Sequence, residues 1–250
     1  MDGRISGNMI LASFSPDCRA FLAPRMLTKT IISGEVICEA GAPMLNLIFP
    51  HDGLISLQCV LKDGSYVEKM SFGGDGIAGF EYVLGSTHSK CRSSVIVSGQ
   101  ASWLSVQDFK RATEQFPCIV PALLAYSARK LELVAQAVVC ASAHVAVQRI
   151  STWLLLAAER SRTGHLDITQ QTLSNVFGLR LATVSAACNR LMALGAVHYS
   201  RGLLRVVDHN MLEEQACECY ETVCLKNHSL QMSELLPVSW MRRAEESDRT

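Results

Sequence analysis

The chain has 250 residues, enough for one large or two modest domains with cores of their own, and its 49% hydrophobic and 18% charged residues make a globular composition. Lysine plus arginine and aspartate plus glutamate number 23 each, so the net charge is zero and a nonspecific polycation is excluded. No apolar run approaches the ~20 residues that span a bilayer. The N-terminal MDGRISGNMILASFSPD lacks the apolar core and cleavage site of a secretion signal, so a cytoplasmic protein without membrane contact is expected. Ten cysteines scattered through apolar runs read as reduced, buried thiols rather than a disulfide framework.

Ser15-Pro16-Asp17 starts a short helix, with Ser as cap, Pro in the first turn and an acid at the positive dipole end, and Pro24 ends it. From Lys29 to Val106 brief β-rich runs alternate with turn signals such as Ser33-Gly34, Lys62-Asp63-Gly64 and Gly85-Ser86. A turn about every ten residues is the mark of a β-roll or sandwich. Ile55, Leu57, Cys59 and Leu61 alternate as in a half-buried strand, and Gly73 to Gly76 reads as a β-turn. A polar-rich helix covers Ser105 to Gln115, and Pro117 and Pro121 introduce a longer one. On it Val120, Leu124, Ser127, Leu131, Val134 and Val138 form a heptad stripe whose expected partner is the same helix of a second copy. A further helix, about Val145 to Ser161, carries Ile150, Trp153, Leu154 and Ala157 on its apolar face.

The stretch from Asp167 to Val207 is the most informative. Thr169 can cap a helix with Leu173, Val176 and Phe177 at i, i+3 and i+4, and Gly178 stops it with a left-handed turn. A second helix, about Leu181 to Leu194, has Leu181, Val184, Ala187, Cys188, Leu191 and Leu194 on an apolar face and Ala182, Thr183, Ser185, Ala186, Asn189 and Arg190 on the other. Two short helices joined through a glycine form a helix-turn-helix, whose second helix enters the major groove. Val197–Ser200 and Leu203–Val207, joined at Arg201-Gly202, then read as a hairpin that sets His198, Arg201 and Arg205 beside it, a winged helix.

The expected DNA contacts are Thr169, Gln170, Arg180, Leu181, Ala182, Thr183, Ser185, Ala186, Asn189, Arg190, His198, Arg201 and Arg205. Seven arginines against two carboxylates between Arg149 and Arg205 leave five positive charges in excess, suited to phosphates. MLEEQACECYETVC closes the domain as a helix. Cys217 and Cys219, at i and i+2 of that helix, would point to different faces, so with Cys224 they read as packing first and redox sensing second. Residues 226–250 look solvated or disordered. Dispersed histidines, with no nucleophile elbow and no Walker loop, argue against an enzyme; no catalytic residue, cofactor or metal is expected.

The expected class is α+β: an effector β-roll over 12–115, a dimerisation helix over 116–141, and a winged helix-turn-helix over 142–225, followed by the tail. SGEVICEAGAP (33–43), FGGDGIAG (72–79), CRSSVIV (91–97), QRISTWLLLAAE (148–159), ITQQTLSNVFG (168–178) and ACECY (216–220) together resemble the Crp/Fnr family of bacterial transcription regulators, over roughly residues 12 to 224. The resemblance implies a cyclic-nucleotide-binding-like roll and a homodimer on palindromic double-stranded DNA, with RNA polymerase as a further partner. Its effector pocket would comprise Gly79, Glu81, Arg92 and Ser93. Arg92-Ser93 matches the family's phosphate-holding pair, whereas Gly79 stands where cyclic-nucleotide binders place a glutamate. Val134-Ala135 stands where they place an adenine-contacting polar pair, so cyclic-nucleotide sensing is not expected. The family's iron–sulfur sensors need clustered N-terminal cysteines, and only Cys18 lies there. The competing reading is a ligand-binding or thiol-redox sensor whose output is not DNA binding.

Overall fold

The computed structural model describes residues 7–161, 165–166, 168–200 and 203–224. The expected tail and the hairpin tip, Arg201 and Gly202, lie outside the described residues.

Two short helices, α1 (Met9–Ser13) and α2 (Pro16–Leu22), lead in. Asn8 caps α1 by accepting from the backbone N–H groups of Ile10 and Leu11, and its fully buried amide donates to the carbonyls of Pro50 (2.8 Å) and Gly76 (2.9 Å). Ser15 caps α2 with Pro16 in the first turn, as the sequence predicts. Strands β1 (Leu27–Ile31), β2 (Val36–Cys38), β3 (Asn46–Pro50), β4 (Leu54–Val60), β5 (Tyr66–Phe72), β6 (Arg92–Val97) and β7 (Gly99–Ser105) pair antiparallel into two sheets, ordered β1-β7-β3 and β2-β6-β4-β5.

The alternation expected for β4 holds only in part. Ile55 and Leu57 are buried, but Cys59 and Leu61 are exposed, because the buried run of β4 ends at Gln58 and the strand continues past the core; opposite Leu57 and Gln58 a register shift leaves Lys69 of β5 unpaired with β4. The opposite face of β4 is not solvated either. Leu54 of β4 and Ile96 of β6 join the core of the C-terminal half, so the sheet is covered on both sides.

Helix α3 (Val106–Gln115), capped by Ser105, leads to α4 (Ile119–Ala143). The first turns of α4 bury Ile119, Ala122, Leu123 and Tyr126 against the roll, and the Tyr126 hydroxyl accepts from the Ile77 N–H at 3.1 Å. Beyond Lys130 the helix leaves that core. After two residues α5 (Ala146–Glu159) begins, followed by β8 (His165–Leu166), α6 (Gln170–Phe177), α7 (Leu181–Ala193), β9 (Val197–Ser200), β10 (Leu203–Val206), α8 (His209–Glu214) and α9 (Cys219–Val223). Ile150, Leu154, Leu173, Val184, Cys188, Leu191 and Leu204 fill the second core, and β8-β10-β9 form the small sheet. The closing segment is two helices rather than the single expected one. The Cys217 N–H turns to the Thr152 hydroxyl at 3.3 Å instead of a carbonyl in its own chain turn, which ends α8.

The two halves are joined by a buried ion pair. Arg160, capping α5, donates from Nε and Nη2 to the two carboxylate oxygens of Asp75 at 3.0 and 2.8 Å, with both side chains 8% exposed. The Arg160 carbonyl accepts from the Gly53 N–H at 3.0 Å. Lys130, 5% exposed, donates to the Ser71 carbonyl at 3.1 Å and lies 5.1 Å from the Phe72 ring centre. Burial pulls the Lys130 ammonium down to about 8 although Asp75 opposes it. Burial works to raise the Asp75 carboxyl, yet Arg160 and then Lys130 hold it well below the usual carboxylate range.

Arg160→Met leaves Asp75 buried and unpaired and is expected to cost ~3–5 kcal/mol in urea unfolding, while Asp75→Leu with Arg160→Met recovers most of that. Because the folded-state value of Asp75 is depressed, its stabilisation is full above the unfolded carboxylate value of about 4 and is lost as pH falls through the folded one. The acid limb of the stability profile is therefore expected to be shallower in the double variant than in the wild type.

Candidate nucleic-acid interface

Local chemistry sets the two helices of the expected helix-turn-helix. The Thr169 hydroxyl accepts from the Thr172 N–H at 3.0 Å and caps α6. Gly178 has φ 60°, and a Cβ there would come within 3.2 Å of Val67 on β5, so both the turn and the fit against the roll need glycine. The Ser174 hydroxyl donates to the Leu179 carbonyl at 2.6 Å, closing the turn. Across it, Val184, Ala187, Cys188 and Leu191 pack inward as expected. Leu181 and Leu194, expected on that face, are exposed at 45% and 40%: the first lies in the opening turn of α7 ahead of the core, and the second caps the helix after Ala193.

The outer face of α7 presents Leu181, Ala182, Thr183, Ala186, Asn189 and Arg190, with Ser185 half-buried between them and Arg180 exposed at the N-cap. Ser185 donates to Oε1 of Gln170 at 2.6 Å. That bond fixes the two helices to each other and uses the serine's only proton, leaving Ser185 an acceptor towards any outside group. Arg190 donates to Gln215 at 3.3 Å, which draws it towards the closing segment. His198 and Arg205 are direct cross-strand partners, both exposed, and Tyr199 ties the hairpin to α6 by accepting from the Gln170 N–H at 3.1 Å. Arg201 lies outside the described residues. The charge excess counted along this stretch overstates the surface: Arg160 is neutralised by Asp75, and Arg149 stacks 5.4 Å from the Phe177 ring. Arg180 and Arg205 stand exposed beside α7.

On α4 the structure exposes Val120 (44%), Leu124 (44%), Leu131 (72%) and Val138 (63%) along one line. Ser127, half-buried between them, donates to the Leu123 carbonyl, and Val134 is half-buried beside a cavity of about 360 Å³ between β5, α4 and α5.

Of the expected effector pocket, Gly79, Glu81 and Ser93 line a second cavity of similar volume, with Glu39, Met44 and Trp103. Arg92 does not line it; its guanidinium turns to Glu39 at 3.6 Å and to the Tyr66 ring. Among the described lining residues the charged groups are Glu39 and Glu81, and burial pushes the Glu81 carboxyl up. Gly79 has φ 84°, with Asn46 O 3.1 Å from where a Cβ would lie, so a glutamate at this position would be strained.

The thiols near the C-terminus are arranged differently from the sequence expectation. Cys217 precedes α9 and Cys219 opens it, so the two are not on one helix and both sulfurs face α4. There they meet Cys140 and His144, and the four donor atoms all lie within 4.8 Å of one another. Burial, followed by the neighbouring Cys217 thiol, pushes the Cys140 thiol up, and burial raises that of Cys219. The Cys-x-x-x-His spacing at the end of α4 carries part of this arrangement in the sequence, since i and i+4 share a helix face.

Residues 148–215 match the family described as the Crp-like helix-turn-helix domain. Among solved structures, FixK2 from Bradyrhizobium japonicum is 16% identical with a TM-score of 0.64 over 77% of this chain and 98% of its own. TTHB099, a CRP-family transcriptional regulator from Thermus thermophilus, is 16% identical with a TM-score of 0.62 over 75% and 96%. The c-di-GMP-responsive global regulator CLP of Xanthomonas campestris is 12% identical with a TM-score of 0.60 over 78% and 100%. No curated protein matches the chain by sequence. Residues 148–215 thus belong to the Crp-like helix-turn-helix domain family, and the whole chain, an α+β assembly of cyclic-nucleotide-binding-like roll, long helix and winged helix-turn-helix, has the fold of Crp/Fnr-type regulators.

Proposed function

We propose that the protein is a homodimeric, sequence-specific transcription regulator that binds a palindromic DNA site, with residues 12–115 sensing a signal, 116–141 pairing the protomers and 142–225 reading DNA. The observation that carries this is the outer face of α7, short side chains flanked by Arg180 and by the His198–Arg205 edge of the hairpin. Side chains of that length bring the helix close to base edges, while the flanking cations suit phosphates. Thr169, Gln170 and Arg201 are the remaining candidate DNA contacts, and RNA polymerase is the further partner.

Ala182 and Ala186 cannot hydrogen-bond a base, so the bidentate arginine-to-guanine contact worth ~1–3 kcal/mol of discrimination is missing from position 186. Their methyl groups and Leu181 fit thymine C5-methyls, and Thr183 and Asn189 supply polar contacts, which favours half-sites rich in A·T pairs about one helical turn apart. The acidic lining of the roll cavity and the constraint at Gly79 favour an effector other than a cyclic nucleotide.

Selection from a random DNA pool tests the reading: wild type is expected to enrich a palindrome, and Ala182→Glu with Ala186→Arg a different one. Identical motifs would remove α7 as the reader. Arg205→Ala is expected to weaken binding to all sequences alike and to flatten the log–log salt slope by about one unit, whereas Arg190→Ala, whose guanidinium is held by Gln215, flattens it less.

Leu131→Glu places a charge in the apolar stripe of α4, where pairing with a second copy would bury it unpaired at a cost of several kcal/mol. Sedimentation is expected to show a dimer for wild type and a monomer for this variant; an unchanged dimer would move the interface elsewhere.

A further inference from the structure

We propose that Cys140, His144, Cys217 and Cys219 form a four-ligand site for a soft, tetrahedral divalent cation of the zinc class.

Three thiols and one imidazole are the donor set of closed zinc sites, which take four protein ligands and no water. Tetrahedral geometry with Zn–S of ~2.3 Å and Zn–N of ~2.1 Å sets sulfur–sulfur edges at roughly 3.8 Å and sulfur–nitrogen edges at roughly 3.6 Å. In the structure Cys140 Sγ and Cys217 Sγ are 3.6 Å apart, and Cys219 Sγ is 3.6 Å from Nδ1 of His144. All the donor atoms lie within 4.8 Å of one another, so closing the tetrahedron moves the widest pair by about 1 Å.

The surroundings point the same way. Nε2 of His144 meets the Glu218 carboxylate at 3.1 Å, which fixes the ring with Nδ1 towards the sulfurs, the carboxylate–histidine arrangement that orients metal-bound imidazoles. Gln136 donates to Cys219 Sγ at 3.0 Å, and the Thr152 hydroxyl lies 3.2 Å from Cys217 Sγ. Three of the four donors therefore have an outer partner of their own. Packing of apolar thiols requires no such polar shell. The cavity between β5, α4 and α5 reaches Cys140 and Cys219 and gives a cation a route in. On binding, the thiols bound to the cation give up their protons to solvent and the imidazole stays neutral.

The ligands come from the last turn and cap of α4, from the loop leading into α9 and from the first residue of α9. Occupancy ties the long helix to the end of the winged domain. Any effect of that tie on DNA rests on the function proposed above, but the site itself does not.

The test uses the full-length chain. Metal-free protein titrated with Co(II) is expected to take up one ion per chain, with thiolate-to-metal charge-transfer absorption and d–d bands of tetrahedral intensity, both erased by one equivalent of Zn(II). Cys140→Ser and Cys219→Ser are each expected to weaken binding by more than the ~100-fold that outer-shell changes reach, and Glu218→Gln by ~10–100-fold, while Cys59→Ser, an exposed cysteine of β4, leaves it unchanged. Should the ligand variants fail to fold, the charge-transfer intensity of the wild type still counts the thiolates, and three are expected. Absence of stoichiometric Co(II) uptake, full affinity in folded Cys140→Ser, or a Cys140–Cys217 disulfide that persists when metal-free protein is kept under excess thiol reductant would overturn the site. Because the readout is optical and needs no DNA, its failure is separable from failure of the DNA-binding reading.

Discussion

Two charges withdrawn from water hold this molecule in one arrangement. Asp75 belongs to the roll and Arg160 to the end of α5, and each has so little solvent around it that its charge depends on the other for a partner. Their pairing is worth less as net stabilisation than as registration, because a buried ion pair tolerates little displacement while apolar surfaces slide. Around it sit Lys130 on the Ser71 carbonyl and Glu68, whose carboxyl burial pushes up while Trp153 Nε1 donates to it at 3.3 Å. The contact between the halves is therefore a polar network set between two apolar cores, and its geometry is what gives α5 a defined direction.

The winged domain is economical in the same physical sense. One hydroxyl–amide bond between Ser185 and Gln170 and one amide–phenol bond between Gln170 and Tyr199 connect α6, α7 and the hairpin. These connections leave the outer face of α7 with small side chains and no ion pairs among its own residues. Steric closeness then becomes a resource of the face, with hydrogen bonding supplied by Thr183, Asn189, the acceptor side of Ser185 and, drawn aside by Gln215, Arg190.

Much of this was legible because it is local. Ser15-Pro16, Thr169 and Gly178 each act within one turn of themselves, and the heptad stripe of α4 is a matter of periodicity, so propensity and spacing reveal them. The features that escaped depend on partners far away in the chain. Arg160 and Asp75 are 85 residues apart, and no periodicity distinguishes an arginine destined for a carboxylate from one destined for solvent. The register shift that leaves Lys69 of β5 without a partner opposite Leu57 and Gln58 has no glycine to announce it. The break between α8 and α9 arises from Thr152, 65 residues earlier, and that break is what turns Cys217 and Cys219 to the same side. Long-range hydrogen bonds override local helix preference where they satisfy a backbone group equally well.

The two-residue junction between α4 and α5 makes α5 a lever. Only His144 and Val145 separate the helices, so four backbone dihedrals set the direction of a rod about 21 Å long. A turn of about 10° at that fulcrum would carry the far end through roughly 4 Å, close to the ~3.4 Å step from one base to the next along a DNA strand. Arg160 sits at that far end, and its grip on Asp75 arrests the swing where the leverage is greatest. Small torsions at the fulcrum and the state of a single carboxylate thus act on the same degree of freedom, from opposite ends of one helix.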